Sequence, residues 1–147
     1  MVSSSRVFRA VVLVLRVALG AVFAYAAWIK LRQPWELFAM SIDAYKLLPY
    51  WAVVVVARTL PWAELAIGLV LMVGCWLRVS AGAASLLLLV FFVLMVRTYL
   101  KRMQIDCGCF GLGDAISVRT LVRDGTLLAG SLFLTWMSFP DRRKAVT

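Results

Sequence analysis

Cys107 and Cys109 are separated only by Gly108, and this spacing is the strongest chemical signal in the chain. Two thiols with one glycine between them can close a very small disulfide ring, because glycine permits the backbone angles that bring the sulfurs together. As reinforcement such a bond is weak. The loop-closure gain for three residues is roughly 1.6 kcal/mol, about half that of a 15-residue loop, and strain in so tight a ring opposes it. Strained, exposed disulfides have higher potentials and serve catalytic or regulatory roles. The pair therefore reads as a thiol–disulfide redox centre, with Asp106, Gly108, Phe110 and Gly111 as its supporting loop. Lys101 and Arg102 precede it and a helix N-terminus follows; both favour thiolate, whereas Asp106 opposes it. Three other readings stand beside this one: a purely structural disulfide, two ordinary reduced thiols, and a metal site. The last needs two further ligands from Asp106, Asp114 or a second subunit, and no metal is expected.

The sequence contains no histidine. That excludes Cys–His nucleophilic pairs, serine triads, histidine metal sites and the usual haem attachment. The third cysteine, Cys75, is expected a membrane thickness away from the pair, as a buried or cytoplasmic thiol with a packing role.

The elements that carry these residues follow from composition. The chain has 147 residues, 64% hydrophobic and 16% charged, where a soluble domain is about half apolar and about a quarter charged. The net charge of +9 points to anionic lipid rather than nucleic acid, since no basic stretch is long and the aromatics fall inside apolar runs. Four stretches, 7–29, 51–77, 79–100 and 120–139, are long enough to cross a hydrocarbon core of about 30 Å. Ala24-Tyr25-Ala26 resembles a signal-peptide cleavage site, but the first stretch is too long for one and carries Arg16. The expected fold is an all-α integral membrane protein. A single domain holds a four-helix bundle, with a short interfacial amphipathic helix after the first span.

Trp35, Phe38, Ile42 and Tyr45 recur on one face after Pro34, which predicts that interfacial helix over 34–47. Only 77–79 separates the second and third spans, a tight hairpin. The remaining connection, 101–119, holds the cysteine pair. An even number of crossings puts both termini on one side. The positive-inside comparison is a tie, Arg6, Arg9, Arg78, Arg142, Arg143 and Lys144 against Lys30, Arg32, Lys46, Arg97, Lys101, Arg102 and Arg119, so charge leaves orientation open.

Arg16 and Glu64 lie near the middle of their spans, where an unpaired charge costs about 3 kcal/mol or more. The expectation is that Glu64 faces the interior and pairs with Arg16. Lys30, Arg58, Arg97 and Arg123 cluster towards the cysteine side, with Pro61 expected to bend the helix below Arg58. They either snorkel to headgroups or form a positive basin that stabilises thiolate or holds a quinone headgroup.

Taken together, these residues resemble the MauE branch of the DoxX-like membrane proteins. The likeness covers nearly the whole chain. It runs through Arg16 and Gly20, then Lys30-Leu31 with Pro34, Phe38, Ile42, Tyr45 and Leu48-Pro49. Leu60-Pro61-Trp62 with Glu64 and Gly68 follows, then Asp106-Cys107-Gly108-Cys109-Phe110-Gly111. The last hexapeptide is the most specific part. The resemblance implies a four-helix bundle in the plasma membrane, with cytoplasmic termini and the cysteine loop on the extracytoplasmic face. It also implies a role in methylamine metabolism or in thiol–disulfide handling beside a thioredoxin-like protein or secreted client. Residues 141–147 carry no thioredoxin-like domain, so that partner is expected to be a separate chain.

Two other functions compete. One is a small transporter subunit with Arg16, Arg58 and Glu64 along a polar path; the other is a non-catalytic scaffold for maturing a secreted enzyme. With one outside cysteine pair, a redox protein would meet quinone directly or leave reoxidation to another protein.

Overall fold

The structure, a computed structural model, describes residues 2–104 and 115–138. Asp106, Cys107, Gly108, Cys109, Phe110 and Gly111 lie outside the described residues. The described residues form five α-helices: α1 Val2–Arg32, α2 Trp35–Ala44, α3 Tyr50–Val73, α4 Leu77–Leu100 and α5 Val118–Ser138. Three of them are long and apolar enough to cross a membrane, α1 over Arg6–Arg32, α3 and α4. The sequence predicts four. α5 has the length, 21 residues, but Arg119, Arg123 and Asp124 in its first two turns lower its apolar character.

Prolines set two helix starts. Pro34 (φ −55°) precedes α2, and Pro49 (φ −66°) precedes α3, its carbonyl taking the Ala52 and Val53 N–H groups at 3.0 and 3.1 Å. Pro61 lies inside α3 without ending it. It offers the Ala57 carbonyl no N–H, a loss tolerated where the backbone is buried against neighbouring helices; Ala57 and Pro61 are both buried.

The hairpin falls at residues 74–76, three residues before the expected 77–79, which instead open α4. Gly74 causes this. It takes a left-handed φ of 83° and donates its N–H to Val70 O at 2.8 Å, closing α3 in the way only glycine does without steric penalty. Trp76 is also left-handed and is 81% exposed.

α2 is shorter than expected because Lys46 leaves the helix with φ 51°, beside an ion pair to Asp43. Its apolar face is the expected one, but it packs on protein: Phe38 and Ala39 close over Val53 and Ala57 of α3, flanked by Trp35, Ile42 and Leu60. The main core joins Leu19 and Phe23 of α1, Leu71 of α3, Ala81 and Ala84 of α4 and Leu134 of α5. Large apolar side chains such as Val14, Val55, Val73, Leu86 and Val93 point outward on the three spans, the surface that lipid covers.

Candidate functional site

α1 and α3 cross at two glycines. A Cβ built on Gly20 would lie 2.7 Å from Gly68 O, and one on Gly68 would lie 2.7 Å from Gly20 O. Small residues at such a crossing let backbones approach closely, the usual basis of helix association in lipid. The helices run antiparallel, since Arg16 meets Gly74, Gly20 meets Gly68, and Lys30 meets Glu64.

That direction decides the ion pairing. Side chains on a helix lean towards its N-terminus. On α1 the lean is towards the hairpin; on α3 it is towards Pro49. Lys30 and Glu64 therefore lean towards each other, and Arg16 leans away. Lys30 Nζ donates to both Glu64 oxygens, at 2.8 and 2.7 Å, with side chains 2% and 6% exposed. The ammonium also lies 5.2 Å from the Phe38 ring centre and 6.0 Å from that of Phe91, where ring quadrupoles favour a cation.

The expected Arg16–Glu64 pair is thus replaced by Lys30–Glu64. The Arg16 guanidinium sits against Gly74 instead, at the C-terminal end of α3, where partial negative charge accumulates. Its Nε is buried with no hydrogen-bond partner among the described residues. Arg58 is exposed and stacks over Trp35 at 4.4 Å. Arg16, Arg58 and Glu64 are therefore not gathered into one path.

A third helix completes the site. Asp124 of α5 is 4% exposed, and its Oδ1 accepts from Arg123 Nε at 3.0 Å. Lys30, Glu64 and Asp124 line one cavity of about 40 Å³ with Phe23, Phe91 and Leu127. Of the four cations expected to form a basin, Lys30 and Arg123 each have a carboxylate partner, while Arg58 and Arg97 are exposed. Asp124 escaped the sequence reading, although Thr120, Asp124, Ser131 and Ser138, all buried, recur at helical spacing. Lys30 stands out in the sequence, but as one of four cations that either snorkel or form a basin, not as the partner of Glu64. Cys75, expected to be buried or cytoplasmic and to serve packing, is an exposed free thiol on the hairpin.

The cysteine connection is described at its two ends. α4 closes at Lys101, and Arg102 turns left-handed with φ 52°. α5 opens on reciprocal bonds, Ser117 N–H to Thr120 Oγ1 at 2.8 Å and Thr120 N–H to Ser117 Oγ at 3.4 Å, an arrangement like a capping box with threonine in the return position.

Residues 8–137 match the family described as methylamine utilisation protein MauE. The methylamine utilization protein MauE of Paracoccus denitrificans is 38% identical over 121 residues, 80% of this chain and 64% of that relative. That of Methylophilus methylotrophus is 43% identical over 90 residues, 60% of this chain and 46% of the relative. That of Methylorubrum extorquens is 32% identical over 126 residues, 83% of this chain and 67% of the relative. The chain thus spans about half to two thirds of the length of these relatives. No solved structure matches it. A match over almost the whole chain, with relatives of the same name on either side of 40% identity, leaves one conclusion: this multi-pass membrane chain belongs to the MauE family.

Proposed function

We propose that this chain is a membrane thiol–disulfide redox protein of methylamine utilisation, with Cys107 and Cys109 as its reactive pair. The observation that carries the reading is a Cys-Gly-Cys sequence on the connection between α4 and α5 of a chain in the MauE family. Asp106, Gly108, Phe110 and Gly111 frame the pair. A thioredoxin-like protein or secreted client is its partner. In exchange, a thiolate attacks the partner's disulfide, a mixed disulfide forms, and the second thiol resolves it. The bond broken in the partner is replaced by one between Cys107 and Cys109, and the partner leaves with both thiols protonated. The reverse reaction uses the same steps.

In this reading α5 is the fourth crossing. Its buried side carries Thr120, Asp124, Ser131 and Ser138, and its exposed side carries Val122, Leu132, Phe133 and Trp136. A helix lying in water has the opposite arrangement. The inward polar groups find partners, Ser85 Oγ with Thr135 Oγ1 at 2.9 Å and Arg78 Nε donating to Ser138 O at 2.9 Å, as expected of helices that associate in lipid. Four crossings put both termini on the hairpin side, which we assign to the cytoplasm, and the cysteine loop on the extracytoplasmic face.

The test is alkylation of Cys107 and Cys109 in intact membranes, before and after a mild dithiol reductant. Protection that the reductant removes, and a mixed disulfide trapped when either cysteine is changed to serine, are the expected results. Thiols that react at once, or a bridge inert to the reductant, end the proposal.

A further inference from the structure

We infer that Arg32 and Arg58 form a docking site for the phosphate of an anionic phospholipid, on the outer flank of α1 and α3 in the leaflet nearer the α4–α5 connection. This stands apart from the cysteine chemistry and rests on separate observations. Both arginines are exposed, and the helix register brings them to nearly one height. Counted from the Gly20–Gly68 contact, Arg32 stands about 18 Å up α1 and Arg58 about 15 Å up α3, at roughly 1.5 Å per residue. Arg58 lies over Trp35, which follows Arg32 across Gln33 and Pro34. Both guanidiniums therefore sit at the junction of α1 with α2.

Their surroundings leave them ready for an anion. Arg58 Cζ is 4.4 Å from the Trp35 ring centre, and Arg32 Cζ is 5.8 Å from that of Trp28. A guanidinium laid over an indole covers one face and keeps its in-plane N–H fork available. Among the described residues neither arginine meets a carboxylate or donates a hydrogen bond. Lys30, the nearest cation on α1, is already held by Glu64. Glu36, in the first turn of α2, is exposed and pairs with neither arginine, so two guanidiniums face one carboxylate there. Phosphate oxygens match the guanidinium fork in charge and geometry.

The stripe beneath the arginines selects a lipid as the bearer of that phosphate. Arg58, Trp62, Leu69 and Val73 follow one another at helical spacing on α3, and the last three are 62%, 49% and 71% exposed. Trp62 stands about 9 Å above the glycine contact and the exposed Trp28 about 12 Å, just below the two guanidiniums. Indoles at that level suit the boundary between headgroups and acyl chains. Cation, indole and aliphatic side chain thus succeed one another in the order of phosphate, glycerol and chain. A soluble anion or an acidic peptide would use only the top of this stripe.

The experiment is native mass spectrometry of the full chain released from detergent micelles, titrated with phosphatidylglycerol and separately with phosphatidylcholine. Phosphatidylglycerol should bind the more tightly. Arg32→Gln combined with Arg58→Gln should weaken it by at least roughly tenfold. Arg97→Gln is the control, an exposed arginine in the last turn of α4 that stacks on no ring among the described residues, and it should change binding less than about twofold. Glu36→Gln removes a repulsive carboxylate and should tighten binding, a gain that damage to the fold would not produce. Equal affinity for the two lipids overturns the inference, as does an unchanged affinity in the double variant or an equal loss in Arg97→Gln. Weaker binding in Glu36→Gln does the same, and displacement of the lipid by millimolar inorganic phosphate would make this a site for soluble anions instead. Replacing Cys107 and Cys109 by serine should leave lipid binding untouched.

Discussion

Gly20 and Gly68 meet backbone to backbone, and every other relationship between α1 and α3 is measured from that contact. A Cβ on Gly68 would lie 2.7 Å from Gly20 O and 2.9 Å from Ala24 N, and neither atom can swing aside as a side-chain tip can. Gly68→Ala should therefore push the helices apart and cost about 1–3 kcal/mol. Gly82→Ala is the control, because a Cβ there meets nothing within 4 Å; it should be neutral or slightly stabilising. Unfolding in mixed micelles with increasing denaturing detergent measures both. Equal stability of the two variants would remove the tight crossing.

Lys30 and Glu64 should behave as one unit. Lys30→Met or Glu64→Gln alone strands a buried partner and should cost about 3–5 kcal/mol. The double variant should lose less than the sum of the singles by more than ~1 kcal/mol. The corresponding cycle with Arg16→Met and Glu64→Gln should add to within ~0.5 kcal/mol, because Arg16 leans the other way. Strong coupling in the second cycle and none in the first would restore the pairing that depth alone suggests.

This is also where the sequence was readable and where it was not. The apolar runs located α1, α3 and α4 to within a few residues, and the spacing of Trp35, Phe38 and Ile42 located α2. Depth along a run, however, places only the Cα. Whether Lys30 or Arg16 meets Glu64 depends on which way a long side chain leans once two helices run antiparallel, and the Gly20–Gly68 register that fixes their heights is a tertiary fact. The hairpin was misplaced because hydropathy continues through Val73 to Trp76, while the true stop is the left-handed φ of Gly74. Asp124 was legible in principle, on a stripe with Thr120, Ser131 and Ser138. Averaged hydropathy hides such a stripe, since it asks how apolar a helix is and not on which side. For the cysteine pair the sequence remains the carrier of the signal.

Gly74→Ala separates backbone strain from side-chain crowding. Its φ of 83° disfavours any Cβ by about 1–2 kcal/mol. The nearest obstacle, the Arg16 guanidinium at 2.5 Å, is the end of a flexible chain and can move. The variant should lose about 1–2 kcal/mol in the same detergent titration, and Arg16→Ala in the same chain should restore little of it. Full restoration would locate the cost in the arginine contact.

α5 supplies the sharpest test of topology. Cys75 is exposed on the hairpin, so reaction with a membrane-impermeant thiol reagent marks the hairpin side. If α5 crosses the bilayer, a tag fused after Thr147 lies on that same side; if it does not, the tag lies opposite. The inside-out character of the helix adds a directional prediction. Ser131, 1% exposed, should reject leucine by overpacking, at about 1–3 kcal/mol, without changing the side on which the tag appears. Leu132 is 49% exposed; if α5 crosses the bilayer this position faces lipid, and Leu132→Arg near the helix centre should raise the insertion cost by about 3 kcal/mol. A fraction of the tags should then move to the opposite face. A wild-type tag found opposite Cys75 would leave α5 outside the bilayer and return the chain to three crossings.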